Sequence, residues 1–314
     1  ARGGNMKRLV DTTKITHEEW LRYRKMGISG TDAGSICGLN PYRSAMQVFI
    51  DKTTDTTEEI DNEAMKQGRD LEEYVAQRFC EMTGKKVRRA NAIFSNDEYP
   101  WMLANFDRLI VGERSGLECK TVSAYGADKW RDGAVPMHYL LQCQHYLAVS
   151  GYDAWYIAAL ILGKEFIIRK IERDEELISD LIKIEKHFWE NYVLAGVMPN
   201  PDGSKSADEF LSQYFGMAKK DSAIELVGFD TRLERRDAII QEVAKLQKEQ
   251  SLIEQEIKMY MEDNETAVSD HYKVSWSNVD STRFDTKRFK MEKPELYKEY
   301  AITSTSRRFQ IKAA

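Results

Sequence analysis

The chain has 314 residues, with 46 Lys and Arg against 51 Asp and Glu, a net charge of −5. Apolar residues make up 42% and charged residues 31%. That balance is globular, excludes a disordered chain and allows one large domain with an appendage. No apolar run is long enough to cross a bilayer, so no membrane partner is expected. The four cysteines (Cys37, Cys80, Cys119 and Cys143) form no Cys-x-x-Cys pair, against a disulfide framework or a zinc or iron–sulfur site.

Residues 1–5 read as an expression scar, ahead of a core over 6–222 and an extension over 223–314. Thr16 is a good N-cap for a helix over 17–25. This helix runs into the turn Gly27-Ile28-Ser29-Gly30-Thr31-Asp32-Ala33, with Asn40-Pro41-Tyr42 shortly after. A Gly/Ser/Thr-rich turn exposes backbone N–H groups that suit a phosphate, although a plain turn reads as well. Residues 63–83 form a helix, with Leu71, Val75 and Phe79 four apart and Gly84 at the C-cap. Strands follow over 87–94, 101–111 and 115–121, and the short Gly112–Gly116 link makes the last two a hairpin. A helix over 137–149, strands over 154–162 and 165–171, and a helix over 174–194 complete the core. The order predicts an α/β fold, a mixed central sheet flanked by helices.

In the extension, Ile239, Val243, Leu246, Gln250, Ile253, Ile257 and Tyr260 alternate steps of four and three. That is a helical, coiled-coil-like seam with one polar interruption, suited to packing on its own body or between chains. A short strand is expected over 271–279. The tail is basic, with Arg283, Lys287, Arg288, Lys290, Arg307, Arg308 and Lys312, which suits a solvated face as well as DNA contact.

Chemistry concentrates in Asn105-Phe106-Asp107-Arg108, followed across the hairpin by Leu117-Glu118-Cys119-Lys120. Alternation along a strand puts Glu118 and Lys120 on one face and Cys119 on the other, and the hairpin brings Asp107 alongside. Two carboxylates make a hard-oxygen site for Mg²⁺, to which the Cys119 main-chain carbonyl can add. Lys120 can orient a water or stabilise charge on a phosphoryl group. The bland alternative is an ordinary salt bridge. The apolar setting of Glu118 and Lys120 argues against it, because unpaired buried charge is costly.

Asp, a hairpin, then Glu-x-Lys resembles the PD-(D/E)XK nuclease pattern, with Asn105 and Phe106 where a proline would precede the Asp. The run from Gly68 to Val75 resembles the first core helix of these nucleases, which puts Glu72 toward the metal. Gln142 and Tyr146 resemble a Q-x-x-x-Y helix motif, and Gln144 a Q-x-Q pattern of phage exonucleases. The glycine-rich loop with its Asn-Pro-Tyr is similar to the opening of the YqaJ-type viral recombinases, relatives of lambda exonuclease. By position, Arg24 or Lys25, Ser29 and Thr31 then fall where that family holds a 5′-phosphate.

The resemblance covers residues 17–215 and implies a restriction-endonuclease-like core. It implies a Mg²⁺-dependent enzyme, with Mn²⁺ as a substitute and two ions per site, acting 5′→3′ on linear double-stranded DNA, with Lys120 positioning or deprotonating the attacking water. The 3′ single-stranded tails left would serve phage-type recombination with a RecT- or beta-type annealing protein. A homo-oligomer, a trimeric ring by analogy, and a cytoplasmic phage or prophage protein are also implied. Two other readings stay open: an endonuclease or repair nuclease on the same fold, and a non-catalytic DNA-binding or assembly protein.

Overall fold

The computed structural model describes residues 6–55 and 62–312, so the expected scar over 1–5 lies outside the described residues. The chain falls into two compact units, 1–216 and 217–314.

The first unit opens with strand β1 (Met6–Asp11) and helix α1 (His17–Lys25). Thr16 is the N-cap of α1, as its sequence predicts, and the structure completes a reciprocal capping box with Glu19. The glycine-rich run forms the short strand β2 (Ile28–Ser29) and helix α2 (Gly30–Ile36). Helix α3 (Ala45–Thr53) follows, and then α4 (Glu63–Thr83), closed by Gly84 at φ 70° as expected.

Two expected strands are each divided. Residues 87–94 form all of β3 (Val87–Arg89) and the first part of β4 (Ala92–Asn96), separated where Asn91 takes φ 49°. Residues 101–111 form β5 (Met102–Asn105) and β6 (Arg108–Ile110), interrupted at Phe106 and Asp107. In both cases the chain passes from one sheet to the other, which hydrophobicity alone does not signal. The elements that follow lie where they are expected: β7 (Ser115–Val122), α5 (Met137–Ser150), β8 (Ala154–Ile161), β9 (Glu165–Glu172) and α6 (Glu175–Phe188). A π-helical turn extends α6 over Trp189–Val193, and a capped helix α7 (Lys205–Tyr214), for which no element is expected, follows.

The main sheet has the order β3-β6-β7-β8-β9, with β7 and β8 parallel and the other pairs antiparallel. A second sheet has the order β1-β4-β5-β2. Strand β8 is apolar on both faces because both are covered. Trp155, Ile157, Ala159 and Ile161 pack with Cys143 and Leu147 of α5, while Ala158 packs with Val75 and Phe79 of α4. Gly116 on β7 is needed at that seam, since a Cβ there would lie 2.2 Å from the Trp155 ring.

The second unit holds the long helix α8 (Asp230–Met261), which carries the heptad seam along one face. A hairpin of β10 (Thr266–Val268) and β11 (Lys273–Ser275) and two short helices, α9 (Thr286–Glu292) and α10 (Pro294–Tyr300), follow. Strand β11 occupies the middle of the expected strand. Its partner and the two helices carry too few apolar positions to stand out in the sequence. Among the described residues no helix is long and apolar enough to cross a membrane.

Candidate active site

The break between β5 and β6 builds the site. Arg108 pairs with Leu117 across the hairpin, so Asp107 lies opposite Glu118 at the point where the chain changes sheets. Asp107 Oδ2 accepts the Cys119 N–H at 2.8 Å, which fixes this carboxylate against β7. Glu118 faces α5, and Cys119 packs on the α4 side with Val75 and Phe79, as strand alternation requires.

Glu118 is almost fully buried. Its Oε1 accepts from Lys120 Nζ at 2.6 Å and from Gln142 Nε2 at 2.7 Å. Its Oε2 is buried and finds no partner. Lys120 also donates to Gln142 Oε1 at 3.1 Å, and its Nζ lies 4.7 Å from the centre of the Tyr139 ring. Burial alone would lower the Lys120 amine, but Glu118, Tyr139 and Asp107 outweigh it and hold it above its usual range. Lys120 is therefore a cation here, fitted to hold a water or stabilise negative charge rather than to remove a proton. Burial raises the Asp107 carboxyl well above the carboxylate range, and the neighbouring charges of Glu118 and Glu72 add to it.

A partnerless buried oxygen on Glu118 and a buried Asp107 carboxyl crowded by Glu118 and Glu72 are what a hard divalent cation would relieve, and the donors fit Mg²⁺. Glu72 stands near enough to act on Asp107, but its carboxylate accepts from Arg108. The same guanidinium reaches Glu73 at 3.0 Å. Among the described residues no three His, Cys, Asp or Glu side chains are poised around one point. Asp107 and Glu118 are the two carboxylates of this cluster that an ion pair with Arg108 does not engage.

Helix α5 carries the support. Gln142 bridges Glu118, Lys120 and the Tyr146 hydroxyl, the last at 2.8 Å. Tyr146 in turn points its hydroxyl to the Asn105 carbonyl at 3.4 Å. Gln144 is not part of this group: it donates to the Glu172 carbonyl and accepts from the Asp174 N–H, tying α5 to β9 and α6.

The loop candidates divide as well. Arg24 donates to Thr31 Oγ1 at 3.0 Å and to Ser29 Oγ at 3.5 Å, so these three form one polar cluster. Lys25 instead donates to the Thr54 carbonyl at 2.6 Å. The cluster abuts α5, because Gly30 lies so close to Tyr146 that an added Cβ would sit 2.5 Å from its ring.

Two residues here are not evident in the sequence. Asp32 is fully buried, accepts from Ser29 Oγ at 2.7 Å and pairs with Lys52 and Arg43 at 2.8 Å each. Burial would raise its carboxyl, but Lys52, Arg43 and Arg24 hold it well below the carboxylate range. Arg108 is the other, a buried cation directly after Asp107. An arginine inside an otherwise apolar strand was its one available signal.

Comparison with known proteins settles the family. Residues 19–153 match the YqaJ-like viral recombinase domain. The uncharacterized protein YqaJ of Bacillus subtilis (strain 168) is 39% identical over 308 residues, which cover 97% of each chain. The chain belongs to the YqaJ family. Among solved structures, an alkaline exonuclease from Laribacter hongkongensis superposes with a TM-score of 0.50 at 19% identity. The match covers 63% of this chain and 97% of that one. The same exonuclease in complex with dAMP matches at 20% identity over the same shares, with a TM-score of 0.50. The fold of this YqaJ-family chain is therefore the PD-(D/E)XK-like α/β fold that its sequence predicts.

Proposed function

We propose that the protein is a Mg²⁺-dependent exonuclease that degrades linear double-stranded DNA from the 5′ end. The observation that carries this reading is the Glu118 carboxylate. It is buried beside Asp107, with one oxygen on Lys120 and the other without a partner. An oxygen left this way costs stability in a purely structural role, and its natural complement is a cation.

Asp107 and Glu118 would hold Mg²⁺, or Mn²⁺ in its place, with the Cys119 carbonyl as a further oxygen and Glu72 in support for a second ion. When bound, the metal lowers the pKa of water and offsets charge on the phosphate. Lys120, held as a cation, orients the attacking water and balances the charge gathering on the phosphoryl oxygens. Gln142 keeps Glu118 and Lys120 in register, and Tyr146 holds Gln142. Arg24, Ser29 and Thr31 form a polar cluster suited to a terminal 5′-phosphate, where a guanidinium can bind in fork geometry.

The family membership and the fold of the Laribacter alkaline exonuclease support the exonuclease reading. On this account the 3′ tails pass to a RecT- or beta-type annealing protein, in a phage or prophage setting in the bacterial cytoplasm. A trimeric ring would keep the enzyme on its strand.

The test uses matched DNAs, a linear duplex labelled at either the 5′ or the 3′ end and a closed circle, with Mg²⁺ or EDTA. Early release of the 5′ label from the linear form alone, stopped by EDTA, is the expected result. Cutting of the circle would replace this reading with an endonuclease. Metal-independent binding with neither DNA cut would leave a non-catalytic DNA-binding protein.

A further inference from the structure

One aromatic group near the site has no part in holding the carboxylates. Tyr42 is 73% exposed, yet its turn is tied down on both sides. The Gly34 carbonyl accepts the N–H groups of Leu39 and Asn40 at 2.8 and 3.0 Å. Asn40 donates to Ser35 Oγ at 3.1 Å and accepts the Tyr42 N–H at 2.9 Å. On the other side, Arg43 is held by Asp32 and Asp51. An exposed ring on an anchored turn is presented at a fixed place without being needed for packing.

That place leads inward. The Tyr42 ring meets the His138 ring edge-on at 6.1 Å, and Lys129 Nζ lies 5.9 Å from the Tyr42 ring centre. The His138 ring lies 4.0 Å from that of Tyr139. Tyr139 rests against Trp130 at 5.9 Å and carries Lys120 Nζ over its face at 4.7 Å. Gly34 makes room for this arrangement, since a Cβ there would lie 2.6 Å from His138 Cβ. His138 Nε2 is buried and without a partner. Burial lowers the His138 imidazole to about 4, with Lys120 and Lys129 adding to it, so the ring is neutral near pH 7.

We propose that the exposed ring of Tyr42, braced edge-on by His138 and through it by Tyr139, is a stacking platform for the nucleobase beside the cleaved phosphate, drawn out of its base pair. The proposal rests on the nuclease reading above and adds how a paired end is engaged. The reason is depth. The Glu118 side chain is 4% exposed and that of Lys120 17%. A phosphate that reaches them must leave the surface of an intact duplex, and its base must unstack. Every base has a π-face, so an aromatic step at the mouth of the site compensates for the lost stacking without regard to sequence. Lys129, beside the outer ring, is placed for the phosphate of the neighbouring nucleotide.

The experiment compares two linear duplexes in Mg²⁺, one with a paired 5′ end and one whose last two or three nucleotides are mismatched. Tyr42→Ala should slow cleavage of the paired end by roughly 5- to 100-fold, the range of one lost base–aromatic stack. On the mismatched end the loss should shrink to about threefold or less. Tyr42→Phe should recover most of the lost rate on the paired end, since the ring and not the hydroxyl is required. Tyr42 is exposed, and melting curves of both variants should overlay the wild type. Equal losses on both ends, or no loss on either, would overturn the platform while leaving the nuclease reading in place. Failure of the wild type to cut either end would overturn both.

Discussion

Replacing Asp107 with Asn removes one charge from the site and keeps its shape. The Asn oxygen can accept the Cys119 N–H that Asp107 Oδ2 accepts at 2.8 Å. Burial and the charges of Glu118 and Glu72 raise the Asp107 carboxyl, so its ionised form is a burden on the metal-free protein. Removing that burden is expected to stabilise the metal-free protein by roughly 1–3 kcal/mol. For a unit of this size that is roughly 2–4 °C in Tm per kcal/mol. Excess Mg²⁺ should reverse the order. A cation at 100 times its Kd adds about 2.7 kcal/mol to the wild type and far less to a variant lacking a ligand. Thermal melts in EDTA and in saturating Mg²⁺ measure both. The curves should cross, with the variant more stable in EDTA, the wild type more stable in Mg²⁺, and cleavage lost in the variant. A variant less stable than the wild type in EDTA would refute the argument from charge. An equal gain from Mg²⁺ would refute Asp107 as a ligand.

Three further outcomes follow from the same geometry. Gly30→Ala should push Tyr146 off Gln142, because its Cβ would lie 2.5 Å from the ring; a stability loss of roughly 1–3 kcal/mol is expected by thermal melting, together with a fall in cleavage rate. Lys120→Ala should lower the cleavage rate by roughly 100-fold or more while a filter-binding assay finds DNA affinity within a few-fold of wild type. The third concerns the buried His145–Glu185 pair, in which Nδ1 meets Oε1 at 2.9 Å and Nε2 meets the Leu103 carbonyl at 2.8 Å. Burial would lower the imidazole, but Glu185 and the carbonyl outweigh it and raise it. Burial also raises the Glu185 carboxyl, against the pull of His145, so the two share a proton held more tightly than by either alone in water. The stability from His145 is fully present below the unfolded value of about 6.5 and is lost as pH rises through its raised folded value. Stability measured by melting from pH 6 to pH 9 should fall more in the wild type than in His145→Gln.

The strand that carries Glu118 and Lys120 was legible because three signals coincide there. Leu117-Glu118-Cys119-Lys120 alternates, its charges sit in an apolar strand, and Asp107 precedes it across a short hairpin. Helices α1, α4, α5 and α6 were legible from their caps and apolar spacing. The breaks at Asn91 and at Phe106-Asp107 were not, because the apolar residues on either side are equally suited to one long strand. What divides them is the second sheet, and strand β2, which forms its edge, has only two residues. Side-chain partners were the least legible. Nothing in the sequence distinguishes Gln142, which bridges Glu118 and Lys120, from Gln144, which ties down β9 two residues later. The same holds for Arg24 and Lys25, whose adjacent positive charges part toward Thr31 and the Thr54 carbonyl. Asp32 read as a turn residue, and its burial against Lys52 and Arg43 depends on α3, distant in sequence.

The most direct test of the active site is release of acid-soluble nucleotide from uniformly labelled linear duplex, measured for the wild type in Mg²⁺ and in EDTA and for Glu118→Gln in Mg²⁺. The account predicts release by the wild type in Mg²⁺ alone. Glu118→Gln, which keeps the volume but not the charge at the buried oxygen, should release essentially none. Full release by Glu118→Gln, or undiminished release by the wild type in EDTA, would contradict a metal-dependent site built on Asp107, Glu118 and Lys120.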